Sequence, residues 1–188
     1  RLEADYGIRG TVLQWITSYL NGRSQRVTVN GTYSKLFPIA HGVPQGSVVG
    51  PLMFILYTGP LGNIINSHNG IQHAVYADDT QIYLILKPNE QSDAMHRLEL
   101  CIEDVKRWSV NNKLQLNELK TEMLHITSKF RNPTQLPNLQ LQTGSVECSE
   151  SSRDLGILLD GNLTLQQHIR NTCKSASWGI CKIGKIRR

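Results

Sequence analysis

The feature that most constrains the fold of this 188-residue chain is a long segment without acidic or basic side chains. Residues 36–77 contain no Asp, Glu, Lys or Arg, although these residues make up 19% of the whole chain. A membrane-spanning helix needs about 20 consecutive apolar residues, but proline, asparagine and glycine interrupt the most apolar part, residues 48–65. The segment therefore predicts a buried helix that begins near Gly50-Pro51, with proline in its first turn, and no membrane association.

The basic residues of the chain are concentrated at its C-terminal end. Residues 1–164 contain 14 basic and 15 acidic residues, whereas residues 165–188 contain six basic residues and no acidic one. These six are Arg170, Lys174, Lys182, Lys185, Arg187 and Arg188. Such a segment attracts polyanions, but the charge pattern alone is equally compatible with the solvated face of a helix.

Apolar periodicity predicts a mixture of helices and hairpins, and hence an α+β fold. Helices are predicted over residues 8–20, from Ser92 or Asp93 to Asn111, and from about Thr164 onward. Strands are predicted over residues 26–29, 71–76, 80–86 and 121–127, with a further hairpin over 139–160. Three tryptophans, Trp15, Trp108 and Trp178, fall at helical spacing and are predicted to be core residues.

Two adjacent carboxylates, Asp78 and Asp79, occupy the tight turn between the strands predicted over 71–76 and 80–86. If the turn is dehydrated like the uncharged segment before it, each buried ion costs several kcal/mol unless a positive charge compensates it. Divalent ions with a preference for oxygen ligands, Mg²⁺ or Mn²⁺, provide that charge. The alternative is an exposed Asp-Asp turn without a ligand.

A loop rich in glycine and proline, residues 41–47, precedes the predicted helix at Gly50. Small residues allow a backbone to approach a flat ligand closely, and amides at a helix N-terminus suit phosphate. The loop is therefore a candidate ligand-binding segment.

These motifs together resemble the reverse transcriptase domain of non-LTR, LINE-type retrotransposons. The sequence GVPQGSVVGPL at residues 42–52 and YADDT at residues 76–80 carry the resemblance. Residues 6–25, 116–122 and 155–156 are similar to further family motifs and follow in the family's order. The resemblance implies a polymerase palm-type antiparallel sheet with packing helices, followed by the start of a helical thumb.

The resemblance also implies roles for individual residues. Asp78 and Asp79 would hold Mg²⁺ or Mn²⁺, with Asp78 as the more direct ligand. Tyr76 and Ala77 would shape the hairpin tip and the primer terminus. The residues that would bind the nascent base pair and template are Pro44, Gln45 and Gly46.

Three further residues receive roles by the same resemblance. Lys120 would lie near the incoming dNTP and protonate the departing pyrophosphate, although an ordinary surface lysine is an equally good interpretation. Leu155 and Gly156 would lie on the hairpin that holds the primer end. Residues 1–160 would form a partial palm, and residues 161–188 would begin a basic thumb.

The implied activity is RNA-directed DNA synthesis with an RNA template, a DNA primer and dNTP as partners. The family's palm needs a further aspartate on a strand that would precede Ala4, so we expect this chain to be a fragment without activity of its own. The alternative is a decayed or domesticated remnant that binds nucleic acid without catalysis. Another polymerase with an Asp-Asp palm, such as a group II intron maturase or telomerase, fits the Pro-Gln-Gly loop less closely.

Overall fold

The computed structural model describes residues 1–87, 89–130, 136–141 and 144–187. The chain divides into two compact units. The first contains Arg1–Asn63 and His73–Gln81, and the second contains Ile64–Gln72 and the described residues from Ile82 onward. None of the helices in these ranges has the length and apolar character that crossing a membrane requires. Arg188, the last residue of the basic segment, lies outside the described residues.

Six α-helices occur in the described ranges. They are α1 (Leu2–Tyr6), α2 (Gly10–Leu20), α3 (Gly50–Thr58), α4 (Pro60–Asn66), α5 (Gln91–Asn111) and α6 (Gln166–Ile186). The three helices predicted from periodicity are confirmed as α2, α5 and α6, and the helix predicted at Gly50-Pro51 is confirmed as α3. A single 3₁₀ turn covers Glu118–Lys120.

Twelve strands pair two by two in the described part of the chain. They are β1 (Ser24–Gln25) with β4 (Phe37–Pro38), β2 (Thr28–Val29) with β3 (Thr32–Tyr33), β5 (Ile71–Tyr76) with β6 (Asp79–Leu84), β7 (Met123–Leu124) with β10 (Cys148–Ser149), β8 (Leu139–Leu141) with β9 (Gly144–Val146), and β11 (Ser151–Asp154) with β12 (Ile157–Asp160). The pair β7 and β10 is parallel.

The α+β class predicted from the sequence is confirmed, because helices and small, mostly antiparallel two-stranded sheets make up the described parts of both units. The predicted strand over 121–127 is shorter than expected and consists of β7 alone. The hairpin predicted over 139–160 is instead two hairpins, and residues 142–143 within it lie outside the described residues. The continuous palm sheet and the boundary after residue 160 stay predictions.

In the first unit, α1 packs against the C-terminal end of α3. The Tyr6 hydroxyl donates a 2.8 Å hydrogen bond to the carbonyl oxygen of Leu56, and the Arg1 guanidinium donates one of 2.9 Å to that of Tyr57. Gly59 lies directly against the Tyr6 hydroxyl, which leaves no space there for a Cβ atom. Carbonyls at the end of α3, which lack partners within the helix, thus receive side-chain donors.

The prediction that the uncharged segment is a buried helix is correct only in part. The segment forms two helices because Pro60, which has no amide hydrogen, follows Gly59 and begins α4. In α3 only Gly50 and Met53 are buried, while Leu52 is 54% exposed. Most side chains of α3 are therefore not buried, and the absence of charged residues does not imply burial here.

The second unit is organised around α5. Besides Ser109 of α5, the buried residues of this unit are apolar: Ile65, Ile71, Ala94, Met95, Cys101, Val105 and Leu139. Four of the apolar residues belong to α5, and two of these, Met95 and Val105, are on the face that the apolar periodicity predicted to be buried. At the entry to β5, the His68 imidazole lies 3.1 Å from the Asp104 carboxylate, which also pairs with Arg107 at 2.9 Å. The α5 face therefore anchors the base of the β5–β6 hairpin.

The prediction that the three tryptophans are core residues is wrong for two of them. Trp108 is half-buried, but Trp15 is half-exposed and Trp178 is 61% exposed. The apolar residues of α6, such as Ala176 and Ile180, recur every three or four positions and share one side of the helix. Trp178 lies two residues from each of them and is therefore on a different side.

Candidate active site

The two carboxylates lie at the tip of the β5–β6 hairpin. Ala77 and Asp78 connect the strands, and Asp79 is the first residue of β6. Ala77 has a φ of 54°, in the left-handed region that residues with a Cβ atom rarely adopt. A strained residue at this point is a reason to suspect a functional tip.

The structure corrects the prediction that this turn is dehydrated. Asp78 and Asp79 are exposed, and the neighbouring Tyr76 is 65% exposed. A two-residue hairpin tip projects beyond the strands, so the uncharged segment before it does not enclose it. Both carboxylates remain hydrated, so the cost of burying them is not a reason to expect a compensating ion.

The donor set itself fits a magnesium or manganese ion. In phosphoryl-transfer sites Mg²⁺ is commonly bound by one or two carboxylates, with water and substrate phosphates as its other ligands. Asp78 and Asp79 provide two carboxylates on adjacent residues, accessible to solvent and to a phosphate. In the described ranges, no group of three or more His, Cys, Asp or Glu is placed to hold a metal. The hairpin thus offers two protein ligands.

The glycine-proline loop lies in the same compact unit as the hairpin tip. Gly42 and Gly46 have φ values of 81° and 80°, which glycine adopts without strain. The Arg23 guanidinium donates a hydrogen bond to the carbonyl oxygen of Gly42. Pro44, Gln45 and Gly46 are exposed, so the loop presents the residues that the sequence assigned to ligand contact.

Ser47 fixes the end of this loop against two helices. Its hydroxyl oxygen accepts hydrogen bonds from the Tyr19 hydroxyl at 2.7 Å and from the amide of Gly50 at 3.0 Å. Its own amide donates to the carbonyl oxygen of Pro44 at 3.2 Å. Tyr19 and Arg23 have partners 28 and 19 residues away, which no local sequence pattern could show.

Lys120 and the turn at Leu155 belong to the second unit. Lys120 is exposed at the end of the 3₁₀ turn, where its amide donates to the carbonyl oxygen of Asn117 at 3.0 Å. In the same turn, Glu118 pairs with Lys106 at 2.6 Å. This ion pair attaches the 3₁₀ turn to α5 and so fixes the backbone that carries Lys120.

Leu155 and Gly156 form the two-residue turn between β11 and β12. Their φ values are 44° and 88°, the pattern of a type I′ hairpin turn. Asp154 pairs with Ile157 directly beside the turn. Leucine is a costly choice for a left-handed position, and the Leu155 side chain is 53% exposed. The family resemblance implied a hairpin at Leu155 and Gly156, and the structure shows that these two residues form its turn.

Asp160 connects β12 to α6. Its carboxylate accepts hydrogen bonds from the amides of Asn162, Thr164 and Leu165 and from the Thr164 hydroxyl. Hydrogen bonds from the Thr164 amide, and then from the Thr164 hydroxyl and the other two amides, lower the pKa of this carboxyl group. These hydrogen bonds fix where α6 begins, and no pattern in the sequence predicted them.

Comparison with known proteins agrees with these features. The family model described as reverse transcriptase (RNA-dependent DNA polymerase) matches residues 4–158. The chain is 28% identical over 177 residues to the RNA-directed DNA polymerase from mobile element jockey of Drosophila funebris, covering 92% of this chain and 19% of that protein. It is 31% identical over 163 residues to the probable RNA-directed DNA polymerase from transposon BS of Drosophila melanogaster, covering 85% and 18%.

The chain spans less than a fifth of the length of each of these two curated relatives. No solved structure matches it.

Proposed function

Because the chain belongs to the reverse transcriptase (RNA-dependent DNA polymerase) family, we propose that it forms part of the polymerase of a LINE-type mobile element. The polymerase extends a DNA primer on an RNA template. The primer 3′-hydroxyl attacks the α-phosphate of a dNTP, a phosphodiester bond forms, and pyrophosphate leaves. The observation that carries this proposal is the pair of adjacent carboxylates at an exposed hairpin tip, in the same unit as an anchored glycine-proline loop.

Asp78 and Asp79 hold Mg²⁺ or Mn²⁺ in this proposal. An ion held by these two carboxylates would supply positive charge to stabilise the negative charge that develops on the phosphate. The exposure of both carboxylates supports this role, since substrate phosphates must reach the same place. The left-handed Ala77 and the adjacent Tyr76 shape the tip next to the primer terminus.

The remaining residues have the roles that the resemblance to the family implies. Pro44, Gln45 and Gly46 contact the nascent base pair and template, supported by the exposure of the loop and its anchor at Ser47. Lys120 lies near the dNTP and gives a proton to the departing pyrophosphate. Leu155 and Gly156 hold the primer end, and the strained φ of Leu155 supports a functional turn.

The test is primer extension on poly(rA)/oligo(dT) with Mg²⁺, using the polymerase that carries this chain. Asp78→Asn should abolish extension while leaving primer–template binding within about threefold of wild type, because one metal ligand is lost and the fold is kept. Asp93→Asn, which removes an exposed carboxylate from the first turn of α5, is the matched control and should extend normally. Normal extension by Asp78→Asn would contradict the proposal.

One observation favours a second candidate function, nucleic-acid binding without catalysis. The described residues bring no third metal-binding side chain to the two aspartates, whereas α6 carries four basic residues and no acidic one. Under this reading the 188 residues alone bind nucleic acid and incorporate no dNTP. Incorporation by the isolated chain, lost in Asp78→Asn, would exclude it.

A further inference from the structure

One face of α6 combines basic side chains with an exposed aromatic ring. Arg170, Lys174, Trp178 and Lys182 follow one another at intervals of four residues, with Lys185 beside them. Side chains four residues apart in a helix lie on the same face, about 6 Å apart along the axis. These five residues are called the basic-aromatic face.

The basic-aromatic face is open to solvent. No residue of α6 is buried, and α6 is attached at its first turns, where the Leu158 amide donates to Nδ1 of His168 at 3.3 Å. The basic residues of this face form no ion pair with any described residue. Their charge is therefore available to an external anion.

Trp178 lies between Lys174 and Lys182 on this face. Its ring is 61% exposed, and the Lys182 ammonium lies 3.5 Å from the ring centroid. The cation–π contact holds the ring beside the lysines and occupies one of its two faces. An exposed ring among phosphate-binding cations is the combination that proteins use to bind single strands, where unpaired bases can stack.

We propose that the basic-aromatic face binds single-stranded nucleic acid, with Trp178 stacking on a base and the surrounding cations contacting phosphates. A duplex keeps its bases paired and stacked, so it can use the cations but not the ring. An acidic protein surface can likewise pair with the basic side chains, but it has no base to stack on the Trp178 ring. The proposal rests on the nucleic-acid partner of the proposed function, but it requires neither Asp78 nor a metal ion.

The experiment measures binding of the 188-residue chain to fluorescein-labelled oligo(dT) and oligo(rU) of about 20 nucleotides, without divalent metal or dNTP. Trp178→Ala should weaken binding about 5- to 150-fold, as expected for loss of one stacked base. Trp178→Phe keeps a ring and should stay within about threefold of wild type. The two oligonucleotides show whether the sugar matters, and Trp178-dependent binding of either supports the proposal.

Three controls separate stacking from charge. Trp15→Ala removes another half-exposed tryptophan, outside the basic-aromatic face, and should bind normally. Lys174→Gln should reduce the slope of log affinity against log salt by about 0.7 for a single strand. Asp78→Asn should bind as wild type does, so a failure of catalysis and a failure of this site are distinguishable.

Two results would overturn the proposal. One is unchanged single-strand binding by Trp178→Ala when circular dichroism shows the wild-type helix content. The other is equal competition by a duplex or by polyglutamate of matched charge, because both offer anions without accessible bases.

Discussion

The Tyr19 hydroxyl donates a 2.7 Å hydrogen bond to the Ser47 hydroxyl oxygen and so ties α2 to the loop that enters α3. The same oxygen accepts from the Gly50 amide. A contact between residues 28 apart therefore fixes the segment that carries Pro44, Gln45 and Gly46.

Replacing Tyr19 by Phe should destabilise the first unit by about 0.5–1.5 kcal/mol, the usual net value of a part-buried hydrogen bond. Urea unfolding measures the change. Tyr83→Phe is the control, because the Tyr83 hydroxyl has no hydrogen-bond partner in the described part of the chain and the residue is half-exposed. Equal effects of the two substitutions would show that the Ser47 contact does not stabilise the fold.

Gly59→Ala should destabilise the chain by about 1–2 kcal/mol, because the new methyl group overlaps the Tyr6 hydroxyl and displaces its bond to Leu56. In a Tyr6→Phe background the same substitution should cost less than about 0.5 kcal/mol, since the overlapping atom is gone. Urea unfolding of the four proteins gives this coupling energy. Gly179→Ala is the control: it lies in open space on α6 and should leave the free energy of unfolding unchanged or raise it. If the destabilisations caused by Gly59→Ala and Tyr6→Phe simply add in the double variant, the prediction is contradicted.

Leu155→Asn should stabilise the β11–β12 hairpin by about 1 kcal/mol, because asparagine tolerates the left-handed conformation that leucine holds at a φ of 44°. Little buried surface is lost, since the leucine is half-exposed. Thermal unfolding measures the gain. If Leu155 also holds the primer end, the polymerase that carries this substitution should be more stable but less active. A destabilised variant would show that the packing of the Leu155 side chain contributes more to stability than its backbone strain costs.

Stability should depend on pH through Asp160. Its pKa in the folded chain lies below the ordinary value of 3.8, so its stabilising contribution is complete above that value and is lost as the pH falls through the folded pKa. Asp160→Asn should be less stable than wild type at about pH 6, and the difference should shrink toward about pH 2. Urea unfolding across this range, with Asp93→Asn as control, measures it. A difference that stays constant would mean that the carboxylate charge is not involved.

Local patterns correctly predicted the three longest helices and the hairpin tip. Apolar spacing located α2, α5 and α6, and the acidic dipeptide between two apolar runs located the turn at Asp78. Both signals depend only on residues a few positions apart, and the periodicity of helix and strand makes them visible.

The remaining features depend on contacts that no local pattern contains. The exposure of Asp78, Leu52 and Trp178 depends on tertiary contacts between segments that are distant in the sequence. The anchors of the loop at Tyr19 and Arg23 join distant residues. The hairpin at Leu155 was implied only by the family resemblance, and the left-handed backbone angle of this residue is seen only in the structure.

The pairing of strands two by two has a consequence for how this chain unfolds. Every strand in the described ranges has a neighbour on one side only, and isolated two-stranded ribbons are marginally stable in water. Their amides should therefore exchange with deuterated solvent well before those of α5, whose buried face is the most protected surface in the second unit. Loss of structure then begins at the ribbons that carry Asp78 and Leu155, while the long central helix still holds its hydrophobic contacts.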